Sequence, residues 1–183
     1  MLLAGIPEAV SPFPRAASAA FNTFTTKQNV TTVGQIPVIL SSGLRAESKL
    51  WVKARGNFST TATPTLSLGF WIGTRAAAMT IDLAISSAIT TGSGAASWPW
   101  MMEWEGFCTA AGVTGSLLGQ GFLRLGTALT TFATDVPIPI TAALRTVAID
   151  TTIERAIGVS AAFSASSASN QVQVDSLDVL ILN

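Results

Sequence analysis

From Leu50 the chain alternates. Leu50, Val52, Ala54 and Phe58 fall on one side of an extended backbone, and Lys53, Arg55 and Asn57 on the other, with Trp51 on the polar side. This is the period-2 pattern of a half-buried strand. After the Thr-rich turn Ser59 to Pro64, Leu66, Leu68, Phe70 and Ile72 make a second inward row, with Trp71 facing outward. Trp98 to Thr109 predicts a strand with Trp100, Met102, Trp104 and Cys108 on one face and Met101, Glu103, Glu105 and Phe107 on the other. Leu117 to Leu125 returns the chain. Ile157, Val159, Ala161 and Phe163 alternate with small residues. Gln171 to Leu182 is the last strand, and its phase slips between Asp175 and Leu177, as a β-bulge would cause.

Other segments are less regular. Val30 to Leu40 reads as a first strand with Pro37 at an edge position. Ala76 to Ile89 reads as a strand pair or one bent strand, and the sole helical signal is a turn or two near Thr74 to Thr80. Pro137 and Pro139 argue against regular pairing in 129–143. Arg145 to Ile149 and Ile153 to Phe163 read as strands separated by Asp150, Thr151 and Thr152. About eight antiparallel strands with turn signals between them predict an all-β, jelly-roll-type β-sandwich.

Residues 1–25 read as an extended N-terminal arm and 26–183 as the jelly-roll domain. The steps Ile6-Pro7, Ser11-Pro12 and Phe13-Pro14 disfavour helix. No Lys or Arg precedes the apolar part of the first twenty residues, and prolines interrupt it, so it reads as an arm, not a secretory leader. Ile6, Val10, Phe13, Phe21 and Phe24 string apolar side chains along it. They predict docking of the arm on a neighbouring subunit or on a partner surface.

Composition changes the picture of the surface. Charged residues are 11% of the 183, with ten basic and ten acidic residues giving a formal charge of zero. An ordinary domain has roughly 25%. Outward positions are therefore filled largely by Ser, Thr, Ala and Gly, and so neutral a surface tends to associate. The neutral balance argues against nucleic acid as a partner, which would call for a basic stripe. Every apolar run is shorter than the ~18 residues of a spanning helix, which argues against a membrane.

Little of the sequence looks like chemistry. There is no histidine, which removes the commonest general base and zinc ligand. The single cysteine, Cys108, lies between Phe107 and Thr109 and reads as a buried strand thiol. The best catalytic pattern is Glu103-Trp104-Glu105, two acids about 7 Å apart on one strand face, a spacing glycosidases use. Its bland reading is a solvated outer face. Asp175 and Asp178 lack the Gly-rich loop of a calcium site, and Gly115 to Gly121 lacks the Lys-Ser/Thr of a phosphate loop. The acceptor patterns at Asn29 and Asn57 read as chance. No cofactor and no metal site is expected. Trp51 and Trp71, on the outward side of their strands, join Phe13, Phe21 and Phe24 as candidate interface residues, since aromatics concentrate at interfaces. The alternative for the two tryptophans is cover by loops or the arm.

The run Leu50 to Ile72, the Trp-rich strand Trp98 to Phe107 and the closing Asn170 to Asn183 resemble small jelly-roll virion proteins of tailed bacteriophages, head decoration or cement proteins among them. The resemblance covers about residues 30–183 and rests on strand order and wording. It implies a non-enzymatic homo-oligomer, a trimer favoured, that clamps the major capsid protein on the virion surface after synthesis in the host cytoplasm. It transfers no catalytic residues. For the arm, the partner surface is then the capsid surface. The alternative is a carbohydrate- or receptor-binding jelly-roll module of a phage tail. A glycosidase ranks third.

Overall fold

The computed structural model describes residues 8–9, 19–32, 36–74, 79–133 and 135–183. In chain order the strands are β1 (Glu8–Ala9), β2 (Phe21–Asn22), β3 (Gln28–Asn29), β4 (Val38–Ile39) and β5 (Lys49–Ser59). There follow β6 (Thr65–Gly73), β7 (Ile81–Ile85), β8 (Ile89–Thr90), β9 (Trp98–Ala110) and β10 (Gly115–Ala128). The last are β11 (Thr131–Phe132), β12 (Val136–Ile138), β13 (Thr146–Ile149), β14 (Arg155–Phe163) and β15 (Gln171–Leu182).

The alternation in the sequence is satisfied by two antiparallel sheets packed face to face. The larger runs β1-β15-β5-β9-β10-β11, with β2 on β15 and β12 and β13 on β10. The smaller runs β3-β14-β6-β7, with β4 on β14 and β8 on β6. The outer pairings are nested, but inside them β5–β9 crosses β6–β14. β1 and β2 pair with β15, β3 and β4 with β14, β5 with β9, and β6 with β7. β10 to β13 extend the large sheet beyond β9.

Between the sheets lie the predicted inward rows: Leu50, Val52, Ala54 and Phe58 against Leu66, Leu68, Phe70 and Ile72, with Trp100, Met102, Trp104 and Cys108 of β9. Each large apolar side chain so buried contributes roughly 1.5–3 kcal/mol before ordering costs. The β15 bulge falls at Asp175, where the register to β5 shifts between Val174 and Ser176. Val172 and Val174 face the core before it, and Leu177, Val179 and Ile181 after it. One extra residue thus keeps both halves of the strand apolar side inward.

Glycine makes room for the tryptophans. A Cβ on Gly158 would meet the Trp71 ring at 2.6 Å, one on Gly56 the Trp100 ring at 2.7 Å, and one on Gly119 the Trp104 ring at 2.3 Å. The indoles lie flat over neighbouring strands only where those strands carry no side chain.

Several expectations are corrected. Val30 to Leu40 is not one strand: β3 and β4 pair with different parts of β14, and Val30 and Pro37 lie between or beside them. Residues 129–143 do pair regularly in part, through β11 and through β12, which runs across Pro137 at the sheet edge. Proline is tolerated there because an edge strand need not donate on its outer side. The expected helical turn near Thr74 to Thr80 falls largely on 75–78, outside the described residues. The 3₁₀ turn at Ala142–Arg145 comes instead where sequence suggested none. Among the described residues no helix is long and apolar enough to cross a membrane.

The arm is the largest revision. Phe13 lies outside the described residues. Phe24 is buried and its ring sits 5.5 Å from that of Phe163. Phe21 packs against the same core, and β2 adds to β15. Farther out, Glu8 and Ala9 pair with Ile181 and Leu180 of the same strand. The end of the arm is thus part of the domain's own sheet and core, because pairing with β15 satisfies its backbone without a partner chain.

Candidate functional site

The outer face of the large sheet carries charged and polar side chains on its central strands. Register sets them in rows: Leu182, Lys49, Phe107 and Leu118; then Leu180, Trp51, Glu105 and Gln120; then Asp178, Lys53, Glu103 and Phe122; then Ser176, Arg55, Met101 and Arg124. Opposite charges meet across and along these rows. Lys49 Nζ lies 3.1 Å from Glu105 Oε1, and Lys53 Nζ lies 3.8 Å from Glu103 Oε2. Trp51 Nε1 donates to Glu103 Oε1 at 2.9 Å, and Lys53 Nζ sits 5.7 Å from the centre of the Trp51 ring. Such half-exposed pairs add at most about 1 kcal/mol each. Their effect is to hold the side chains in place.

A cleft of about 910 Å³ opens on this face. Its floor is Glu103, Glu105, Phe107, Leu118, Gln120 and Phe122 with the backbone of Gly119 and Gly121; Lys49 closes one side, and Pro137, Ile138, Pro139 and Arg145 form the other wall. The cause lies in β10. Its outer edge pairs with β12 at Gly121 to Leu123 and with β13 at Gly115 to Leu118, so Gly119 and Gln120 face neither strand. Between those strands the chain arches away through Pro139 and the 3₁₀ turn, and Ile140 N donates to Ile85 O of the small sheet at 3.1 Å. Sequence reasoning found Glu103 and Glu105. It missed Phe122 and Gln120, which strand pairing brings opposite the acids, and Arg145, which the 3₁₀ turn brings to the cleft. The outward phase of β9 and the prolines were the available signals.

Both acids are engaged, Glu103 by an indole N–H and a lysine, Glu105 by a lysine. Asp175 and Asp178 do not converge with a third acid, and among the described residues no three potential metal-binding side chains cluster. Burial raises the Cys108 thiol pKa above its ordinary value, opposed in part by its hydrogen bond to Ala110 O. The thiol is thereby held protonated and unreactive.

The two outward tryptophans part company. Trp51 is half-buried in the polar network just described. Trp71 does face away from the main core, but it is fully buried within the chain, against Ile36, Ala156 and Met79. Asn29 Oδ1 accepts from its Nε1 at 3.2 Å, and the pair Lys27–Asp82, at 2.5 Å, joins residues beside β3 and in β7 on the same sheet. Trp71 therefore presents no surface to a subunit, and cover by the chain's own loops is the correct reading. The Asn29 amide is also committed, its Nδ2 donating to Thr31 O.

A second surface feature lies at one end of the sandwich. Thr151 ties three loops together: its carbonyl accepts from Ser42 N at 2.9 Å, its N donates to Gly112 O at 3.0 Å, and its hydroxyl accepts from Gly112 N at 2.8 Å. Beside these bonds Leu40 (65% exposed), Val113 (70%) and Ile153 (43%) project into solvent. Compared with family models, with curated proteins and with solved structures, the chain matches none of them.

Proposed function

We propose that this chain is a non-enzymatic virion structural protein, a capsid decoration protein that binds the phage head as a homo-oligomer, with the trimer favoured. The observation that carries the reading is the loop end. Leu40, Val113 and Ile153 are exposed on loops that Thr151 ties together. Apolar side chains on an already fixed backbone pay only their own rotamer ordering when a partner covers them, so more of their transfer free energy is kept at an interface. The architecture supports the reading too: two antiparallel sheets packed face to face make the sandwich frame that jelly-roll proteins also use. The engaged state of Glu103 and Glu105 is what a structural face needs, and a general acid would need a free one.

The major capsid protein is the partner, met by the loop end, and other faces of the sandwich meet other copies. Sedimentation at micromolar concentration should give a trimer, and the chain should be found bound to the shells of the phage that encodes it. Leu40→Asp with Val113→Asp should abolish retention on those shells while the circular dichroism of the sandwich is kept. A stable monomer, or shell binding indifferent to the double substitution, overturns the proposal.

A further inference from the structure

We propose that the cleft on the outer face of the large sheet binds a short neutral glycan. Charge comes first. Lys49 and Arg145 face Glu103 and Glu105 in one cleft, so the lining sums to zero, and a charged ligand of either sign meets two like charges. A wholly apolar ligand is disfavoured for the opposite reason, since it would cover two carboxylates and an amide without offering them hydrogen bonds. Sugar hydroxyls both donate and accept. They satisfy the acceptor-only carboxylates, the mixed amide of Gln120 and the donor-only guanidinium of Arg145 with one kind of group.

The aromatic positions fit the same ligand. Phe107 is 43% exposed and lies opposite Leu118; Phe122 lies opposite Glu103; between these rows Glu105 is opposite Gln120. Two rings thus flank a polar pair, separated by about 14 Å along the strand direction. That span suits an oligosaccharide of two or three units, whose C–H faces stack on rings while its hydroxyls meet the polar row. The volume, about 910 Å³, falls in the range of small-molecule sites. The lining is also held in place before any ligand arrives. Glu103 is fixed by Trp51 and Lys53, Glu105 by Lys49, and the Arg124 guanidinium sits 4.9 Å from the Phe122 ring centre. A fixed lining lowers the ordering cost of binding.

The test is a panel of neutral hexose and N-acetylhexosamine di- and trisaccharides, with sialylated and sulfated counterparts, titrated against the full chain by calorimetry and tryptophan emission. Trp51, hydrogen-bonded to Glu103 at the cleft, is the expected reporter. At least one neutral probe should bind. Phe107→Ala and Gln120→Ala, both at exposed positions, should each weaken it tenfold or more with unchanged near-ultraviolet circular dichroism, and Leu129→Ala should leave it unaltered. Binding only by the anionic probes, no binding at millimolar concentration, or affinity indifferent to both cleft substitutions overturns the inference. So does dissociation of the oligomer by the cleft variants, which would make the face a contact between copies. Because the titration is read on whatever oligomer the chain forms, its failure leaves the decoration proposal standing or falling on its own test.

Discussion

At the scale of single residues, the tryptophans and glycines of this chain specify each other. Trp71 needs Gly158, Trp98 needs Gly92, and Trp100 needs Gly56. In Gly158→Ala the new methyl would stand 2.6 Å from three atoms of the Trp71 indole, and the ring, buried under Ile36 and Met79, has nowhere to move. The expected cost is about 1–3 kcal/mol, the range for overpacked cores, read from a shift in urea midpoint at constant slope. The indole N–H groups differ as well. Trp100 Nε1 donates to Asn57 O and Gln173 O, whereas the buried Trp104 Nε1 has no partner among the described residues. An orphaned donor costs roughly 1–3 kcal/mol, so Trp104→Phe removes a penalty along with its contacts. Trp104→Phe should therefore destabilise less than Trp100→Phe in parallel denaturation curves; equal losses would show that the Trp104 donor is satisfied in solution.

Among elements, the entry into the sandwich is the instructive one. Phe24 was grouped with an arm that leaves the domain, yet its side chain is buried against Phe163. Phe24→Ala is expected to cost about 3–5 kcal/mol, the range for truncating a buried phenylalanine, while Leu129→Ala at an exposed hairpin tip stays within about 0.5 kcal/mol. Similar small effects at both positions would return Phe24 to the arm. The loop 150–152 is a second case. Asp150 accepts hydrogen bonds from the Thr152 hydroxyl at 2.6 Å and from its backbone N at 2.8 Å, which hold its pKa below the usual aspartate value. Asp135, bound in bidentate fashion by Arg124, is lowered in the same way.

For the whole molecule those two carboxylates set an acid-side dependence. The unfolded chain takes up their protons near the ordinary value of about 3.9, before the folded chain does. Their contribution is complete above that value and is lost as pH falls through it toward the lower folded-state values. Asp150→Asn should lower stability at neutral pH, leave it nearly unchanged in acid, and so flatten the profile below about pH 4; an unaltered profile would remove the role. With no histidine in the chain, no histidine titration adds a step near neutrality. Long-range pairing also bears on kinetics. Glu8 and Ala9 meet Ile181 and Leu180, and β5 waits for β15, so loop closure precedes most of the reward. Refolding is expected in milliseconds to seconds, and a microsecond phase carrying the full amplitude in stopped-flow or temperature-jump traces would contradict it.

The alternation of Leu50 to Phe58, of Trp98 to Cys108 and of Ile157 to Phe163 fixed these strands and their inward faces in advance. Side-chain period is a local property of an extended backbone. The bulge at Asp175 was legible for the same reason, since a break in period is as local as the period itself. Glu103 and Glu105 could be named because two residues on one strand share a face. What local pattern lacks is the identity of the neighbours. Trp71 looked like surface because nothing in its own strand tells that Ile36 and Met79 cover it. Phe24 looked like arm because its partner, Phe163, is far away in sequence. The cleft depended on β12 and β13 meeting β10 at separate places, leaving Gly119 and Gln120 open beside Arg145. Only pairing between distant segments decides that, because it is the sum of hydrogen bonds and buried area over the whole sheet, and no single stretch of the chain contains it.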